Sequence, residues 1–229
     1  LPEQRQIALF SATMPSIIKR VAETFLNNPK IVQIKTKTAT APTITQRYWL
    51  GSGGQKLDAL TRILEVETFD AMISFVRTKT ATTDLAEKLS ARGFSADAIN
   101  GDIAQNQRER IINQYKQGKI DILIATDVAA RGLDIDSIDL VINFYLSRDV
   151  EVHTHRIGRT GRAGGSGLAC SLYGSKESHK VSELENLMGI DIPRRPLPNK
   201  KLLLKKPGYP PMVTLQLDAG KKQKIRPGD

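Results

Sequence analysis

In the middle of the chain, short runs of β-branched and aliphatic residues alternate with stretches whose apolar positions recur every three or four residues. The first kind predicts strands, the second helices. Strands are expected at 31–35, 46–50, 71–76, 96–99, 120–125, 140–144 and 167–172. Helices are expected at 16–26, 55–65, 81–92, 105–117 and 176–187. The run DILIATD is apolar almost throughout, the signature of a strand buried on both faces. Such alternation predicts an α/β fold, a parallel sheet covered by helices. Right-handed crossovers then gather the loops at the carboxyl ends of the strands, where folds of this kind bind ligands.

Beyond residue 190 the pattern breaks. Six of the eleven prolines fall between Pro193 and Pro211, mixed with Lys and Arg, which predicts an irregular linker. MVTLQLD then alternates like the first strand of another domain before KKQKIRPGD stops. No internal repeat is visible. The expected domains are 1–30, 31–190, a linker over 191–211, and a cut-off domain over 212–229.

Composition narrows this picture. A chain of 229 residues with 40% apolar content can bury a proper core. No apolar run approaches the roughly 18 residues of a membrane span, so no membrane partner is expected. The chain opens on Leu-Pro-Glu-Gln and reads as an excised piece. Its one cysteine, Cys170, sits in an apolar run. This points to packing and to a reducing, cytoplasmic compartment. Net charge is +10, of which +7 lies beyond residue 190. A basic tail on a mildly basic body fits nucleic acid, although such tails also serve solubility.

Three expected strands end in groups compatible with phosphate. After 120–125 comes TDVAARGLD, whose Thr126 and Asp127 meet the free amides of a starting helix. An N-cap, with Asp127 as the candidate, would be the plainer account, but Arg131, Gly132 and Asp134 follow in the same loop. After 71–76 comes RTKT, with Arg77, Thr78 and Lys79. After 96–99 comes NGDIAQNQR, with Gly101, Gln105 and Arg108. Together they describe one groove tracking a nucleic-acid backbone.

HRIGRTGR adds Arg156, Arg159 and Arg162 at a spacing of three. If its first half closes a helix begun near Asp149, Arg156 and Arg159 share one side of it. Gly158 and Gly161 permit sharp turns and close approach to a ligand. Arginine suits a bidentate grip on phosphate oxygens and can stabilise charge in phosphoryl transfer. A solvated basic turn is the plainer alternative.

ATDVAARGLD followed by HRIGRTGR resembles motifs V and VI of DEAD-box RNA helicases. Ser11-Ala12-Thr13 resembles their motif III, ISFVRTK their motif IV, and Gln105 with Arg108 their Gln-x-x-Arg element. The resemblance covers roughly residues 1–190 and is most like the bacterial cold-shock group. MVTLQLDAGKKQKIRPGD resembles the opening of an RNA-recognition domain found on certain bacterial members that act on ribosomal RNA.

The resemblance implies a RecA-like second lobe with a remnant of the first, ATP and RNA binding between the two. By motif position it places Thr126, Gly101, Gln105 and Arg108 on the RNA backbone, with Arg77 and Thr78 as weaker candidates. Asp134 falls near the ATP ribose, and Arg159 and Arg162 at the γ-phosphate. His155 and Arg156 match residues that tie this lobe to the first lobe's ATPase motifs. Ser11 and Thr13 match the hydroxyl pair coupling hydrolysis to strand separation. Implied cofactors are ATP and Mg²⁺, the latter held mainly by the first lobe; implied partners are RNA and that lobe.

Two departures limit this. Neither a G-x-x-x-x-G-K-[ST] loop nor Asp-Glu-Ala-Asp is present, so the chain alone is expected not to hydrolyse ATP. Gly51-Ser-Gly-Gly-Gln-Lys56 is faintly similar to a phosphate loop, but Leu57 stands where a magnesium-holding hydroxyl belongs; it reads as a turn before a helix. His153 and His155 form H-x-H without further ligands, so no metal site is expected. The competing reading is a non-catalytic RNA-binding scaffold, dominated by the basic tail.

Overall fold

The computed structural model describes residues 2, 5–10, 14, 16–32, 43–51, 55–131, 133, 135, 138–147, 149–161, 165–195 and 197. The chain forms two compact units, 1–39 and 40–229. In the first, α1 (Ser16–Phe25) carries Ile17, Val21 and Phe25 four apart, so that they form one stripe; all three are exposed, and the helix buries no residue. Ile31 and Val32 belong to no strand. The remainder of the strand expected at 31–35 lies outside the described residues.

The second unit holds seven strands: β1 (Ile44–Leu50), β2 (Met72–Phe75), β3 (Ala96–Ile99), β4 (Ile122–Ala125), β5 (Leu140–Asn143), β6 (Gly167–Tyr173) and β7 (Arg194–Arg195). They form one sheet in the order β3-β4-β2-β5-β6-β1-β7, every pair parallel. Helices α2 (Gln55–Val66), α3 (Lys79–Ser90), α4 (Gln105–Lys116), α5 (Asp127–Ala130), α6 (Val150–Ile157) and α7 (Ser178–Met188) connect them. This is the α/β architecture expected.

Period-two alternation shows why the central strands are apolar throughout. Met72, Ile122, Ile124, Leu140 and Ile142 face the cluster under α2 and α3, with Ile63 and Leu89. Ile73, Leu123, Val141 and Ala169 face the opposite cluster, with Ile111 and Tyr115 of α4 and Ile157 of α6. A third cluster, of Tyr48, Tyr173, Val181, Leu184 and Ile192, seats α7. Tyr48 and Trp49 alternate between two clusters and are both buried.

The proline-rich segment is more ordered at its start than its composition predicts. Pro193 lacks a donor, but its carbonyl accepts from the Tyr48 amide at 3.0 Å. Arg194 and Arg195 then pair with Tyr48 and Trp49, Ile192 is buried, and Arg194 meets Glu185 of α7 at 3.0 Å. Proline is tolerated here because β7 is an edge strand. The expected strand at 212–218 lies outside the described residues.

Candidate functional site

The loops after β2, β3, β4 and β5 emerge together because all strands run parallel, and each loop is fixed by a local device. Thr78 caps α3, its hydroxyl accepting from the Ala81 amide at 3.2 Å. Thr126 caps α5 in the same way, accepting from Ala129 at 3.3 Å. Asp149 caps α6, accepting from Val152 at 2.7 Å. Both hydroxyl caps thus stand at strand ends, with half-exposed to exposed side chains at the edge of the sheet.

Gly101 sits beside Lys79, whose ammonium pairs with Asp102. Gln105 is exposed at the start of α4 and donates to Glu109 at 2.7 Å. Arg108 reaches from α4 to the Ala129 carbonyl at 2.6 Å, tying α4 to α5. Arg77 is exposed and meets Glu177 at 3.1 Å, with its guanidinium 4.8 Å from the centre of the Tyr145 ring. The RNA-side candidates Arg77, Thr78, Gly101, Gln105, Arg108 and Thr126 therefore all lie on the loops or helix starts of one edge.

HRIGRTGR is divided by its own helix end. Helix α6 stops at Ile157 with Gly158 as its C-cap, so Arg156 and Arg159 do not share a helix face. Arg156 is inside, its side chain 4% exposed. Its Nε and Nη2 grip the two oxygens of Asp127 at 2.6 and 2.9 Å, and its Nη1 donates to Asn143 Oδ1 at 3.2 Å and the Tyr145 carbonyl at 2.8 Å. Four of the five N–H donors of this guanidinium are thus engaged within this lobe. Arg159, in the turn after α6, is half-buried and donates to the Leu133 carbonyl at 3.4 Å. His155 is exposed.

The turn itself needs glycine at one position. Gly161 adopts φ +66, and a Cβ there would lie 2.7 Å from Ile44 Cγ1. Gly158, at φ −66, has ordinary backbone, so the sharp turn falls later than the sequence implies. A cleft of about 230 Å³ opens beside it, lined by Asp127, Arg131, His155, Arg156 and Arg159 with Phe75 and Val152. Its lining is cationic around one half-exposed carboxylate, a setting for an anionic ligand. Ser11, Thr13, Asp134 and Arg162 lie outside the described residues.

Sequence reasoning passed over a second cluster on this edge. Lys56, expected in a mere turn, is only 5% exposed. Its ammonium is held by Glu177 at 3.3 Å and by the carbonyls of Phe144 and Leu172 at 3.3 and 3.4 Å, and it lies 4.7 Å from the Tyr145 ring centre. Burial pushes its pKa down, and Arg77 adds to that against the opposing pull of Glu177. Burial likewise raises the Glu177 carboxyl. The Gly174 N–H, Lys56 and Arg77 outweigh it, leaving the group below its usual range. The only sequence signal was a lysine one step inside a helix start with a glutamate 121 positions later. Such a pairing is invisible without the fold.

Behind α6 the packing is polar. His153 is fully buried, its Nε2 3.0 Å from Gln46 Oε1, and burial with Arg156 nearby holds its pKa down at about 4. His153 is enclosed whereas His155 is exposed, so the two rings of H-x-H meet different surroundings. Among the described residues no cluster of three or more His, Cys, Asp or Glu could hold a metal. Among them also, no helix is long and apolar enough to cross a membrane.

Residues 55–164 match the family described as the helicase conserved C-terminal domain. The C-terminal domain of the DEAD-box protein Dbp5 superposes with a TM-score of 0.64 at 32% identity, covering 70% of this chain and 94% of that one. The chain belongs to the DEAD-box family. This DEAD-box chain also matches Saccharomyces cerevisiae Dbp5 bound to RNA and ADP BeF3, with a TM-score of 0.78 at 31% identity over 89% of this chain and 54% of that one. Among curated relatives, the ATP-dependent RNA helicase DeaD of Mycobacterium tuberculosis is 53% identical over 80% of this chain and 32% of its own length. DeaD of Escherichia coli K12 is 48% identical over 90% of this chain and 33% of its own length. The DEAD-box chain thus spans about a third of the curated relatives it matches, and its sheet is the RecA-like lobe expected.

Proposed function

We propose that this chain is the C-terminal lobe of an ATP-dependent RNA helicase, gripping an RNA backbone at one side of its carboxyl edge and completing a nucleotide site at the other. The observation that carries the reading is the Asp127–Arg156 bridge, which joins the Thr126 cap to the helix preceding Arg159. RNA phosphates would be received by the caps of Thr126 and Thr78, the open backbone at Gly101, and the side chains of Gln105, Arg108 and Arg77. Spent on phosphates in this way, these groups would leave base edges unread, and binding would follow the backbone rather than the sequence.

At the cleft, Arg159 together with Arg162, Asp134 and His155 would face a nucleotide delivered by the first lobe. Guanidiniums are donors only. They fit the phosphate oxygens of ATP and cannot ligate Mg²⁺, which would be held by the other lobe. ATP supplies a phosphoryl group whose transfer spreads negative charge over oxygens, and Arg159, in the lining of the cleft, would stabilise that charge. The domain reading follows: 1–30 from the first lobe, with Ser11 and Thr13 coupling hydrolysis to strand separation, 31–190 as the second lobe, then linker and RNA-recognition start. The exposed stripe of α1 supports a missing partner surface. The buried thiol of Cys170 fits work in the cytoplasm.

The test is ATP turnover by a full-length protein carrying this chain, with and without RNA. Turnover rising with RNA, and RNA affinity falling steeply with salt, is the expected result. Turnover indifferent to RNA would overturn the reading.

A further inference from the structure

The structure assigns to Asn143 a positioning role: its buried amide sets the guanidinium of Arg156, and through it the placement of the arginine turn relative to the Thr126 cap. The assignment rests on the function proposed above. Asn143 ends β5 and is 0% exposed, in a strand whose other members are aliphatic. Its neighbour in register on β6 is Ser171, 2% exposed. The amide donates from Nδ2 to Ser171 Oγ at 3.0 Å and accepts at Oδ1 from Arg156 Nη1 at 3.2 Å. Arginine offers only donors, so this orientation of the amide is the one that satisfies both neighbours.

Two buried polar side chains in a central parallel sheet are a poor route to stability, because an apolar pair of similar size would pack there without desolvating an amide. What the pair provides is direction. Arg156 is held from three sides: by Asp127 at the start of α5, by the Tyr145 carbonyl after β5, and by Asn143 from beneath. Remove the support beneath, and Nη1 keeps the carbonyl while the guanidinium plane is free to tilt on Asp127. Asp127 follows Thr126 directly, and Arg159 follows Arg156 by three residues. The guanidinium is therefore the joint between the groups proposed for RNA and for nucleotide, and Asn143 and Ser171 orient the joint without touching either ligand. The Gln46–His153 hydrogen bond anchors the same helix one turn earlier, so a tilt at Arg156 does not release α6 altogether.

The decisive comparison is Asn143→Leu, which removes the acceptor at nearly constant volume, in a full-length protein carrying the chain. Turnover at saturating RNA is expected to fall about tenfold, while the KM for ATP stays within about twofold. Ser171→Ala takes away one hydroxyl and should shift the same quantity in the same direction by a smaller factor; it decides the matter if the leucine variant does not fold. A wild-type protein without RNA-stimulated turnover sinks the functional reading itself. A wild type that is stimulated, with both variants matching it in kcat, overturns the role of Asn143 alone. A loss confined to thermal stability, or a rise in KM with kcat kept, does so too.

Discussion

Arg156 lies flat against the carboxylate of Asp127, Nε to Oδ1 at 2.6 Å and Nη2 to Oδ2 at 2.9 Å, and so fastens the first residue of α5 to the last turn of α6. The pair is asymmetric: the arginine side chain is 4% exposed, the aspartate 33%. Removing the aspartate strands a cation in the core. Asp127→Ala should therefore destabilise by about 2–3 kcal/mol, short of the loss of a wholly buried pair because water still reaches this carboxylate. Asp127→Ala with Arg156→Met should recover most of that. Urea midpoints measure both, and equal loss in the single and double variants would show that the bridge contributes nothing specific.

The Lys56–Glu177 pair makes a parallel case with a different geometry. Glu177→Gln leaves the ammonium among two carbonyls and a ring, without a counter-charge. A stability loss of about 2 kcal/mol is expected, and adding Lys56→Met should reverse it. A lone Glu177→Gln variant as stable as the parent would mean that the carbonyls and Tyr145 suffice.

Acid sensitivity should carry the mark of His153. Its folded pKa of about 4 lies below the ordinary 6.5. Between these values the unfolded chain binds a proton that the folded one refuses, so stability falls as pH drops from 6.5 to 4, by up to about 3 kcal/mol. Asp121 opposes this. Burial, with Asp70 adding to it, pushes its pKa up to about 6, so its contribution weakens as pH rises from 3.8 to 6. Comparing wild type with His153→Gln across pH 4 to 7 isolates the histidine. The difference should grow toward acid in favour of the variant; a flat difference contradicts a neutral buried ring.

Cys170 is buried, and burial pushes its thiol up to about 12. A thiolate-directed reagent should leave the native chain unlabelled at pH 7.5 and label it across the unfolding transition, with the same midpoint as circular dichroism. Prompt labelling of the native protein would contradict the packing.

Much of the frame was legible because its determinants are local. Gln105 to Gln117 reads as a helix and is one to within a residue at its end, and Ala96 to Ile99 is the strand its pattern predicts. A cap was legible between an apolar run and a helix start, but the sequence pointed to Asp127, whereas the cap is Thr126 and Asp127 is the first helical residue. Other features depend on neighbours far away in the chain. Arg156 looked like its companions in HRIGRTGR, and only the approach of Asp127 and Asn143 shows that it points inward. Edge strand β7 was hidden by its prolines, since its pairing uses the carbonyl of Pro193 rather than its missing donor. Lys56 read as a turn residue because the carbonyls that hold it belong to β6 and to the end of β5.

The role proposed for Arg159 is to complete a nucleotide site built by another lobe. Its most direct test is RNA-stimulated ATP turnover by a full-length protein carrying Arg159→Ala, with RNA and ATP affinity measured alongside. A fall of about 10³ in rate with both ligands still bound is predicted. Turnover close to that of the parent would contradict it.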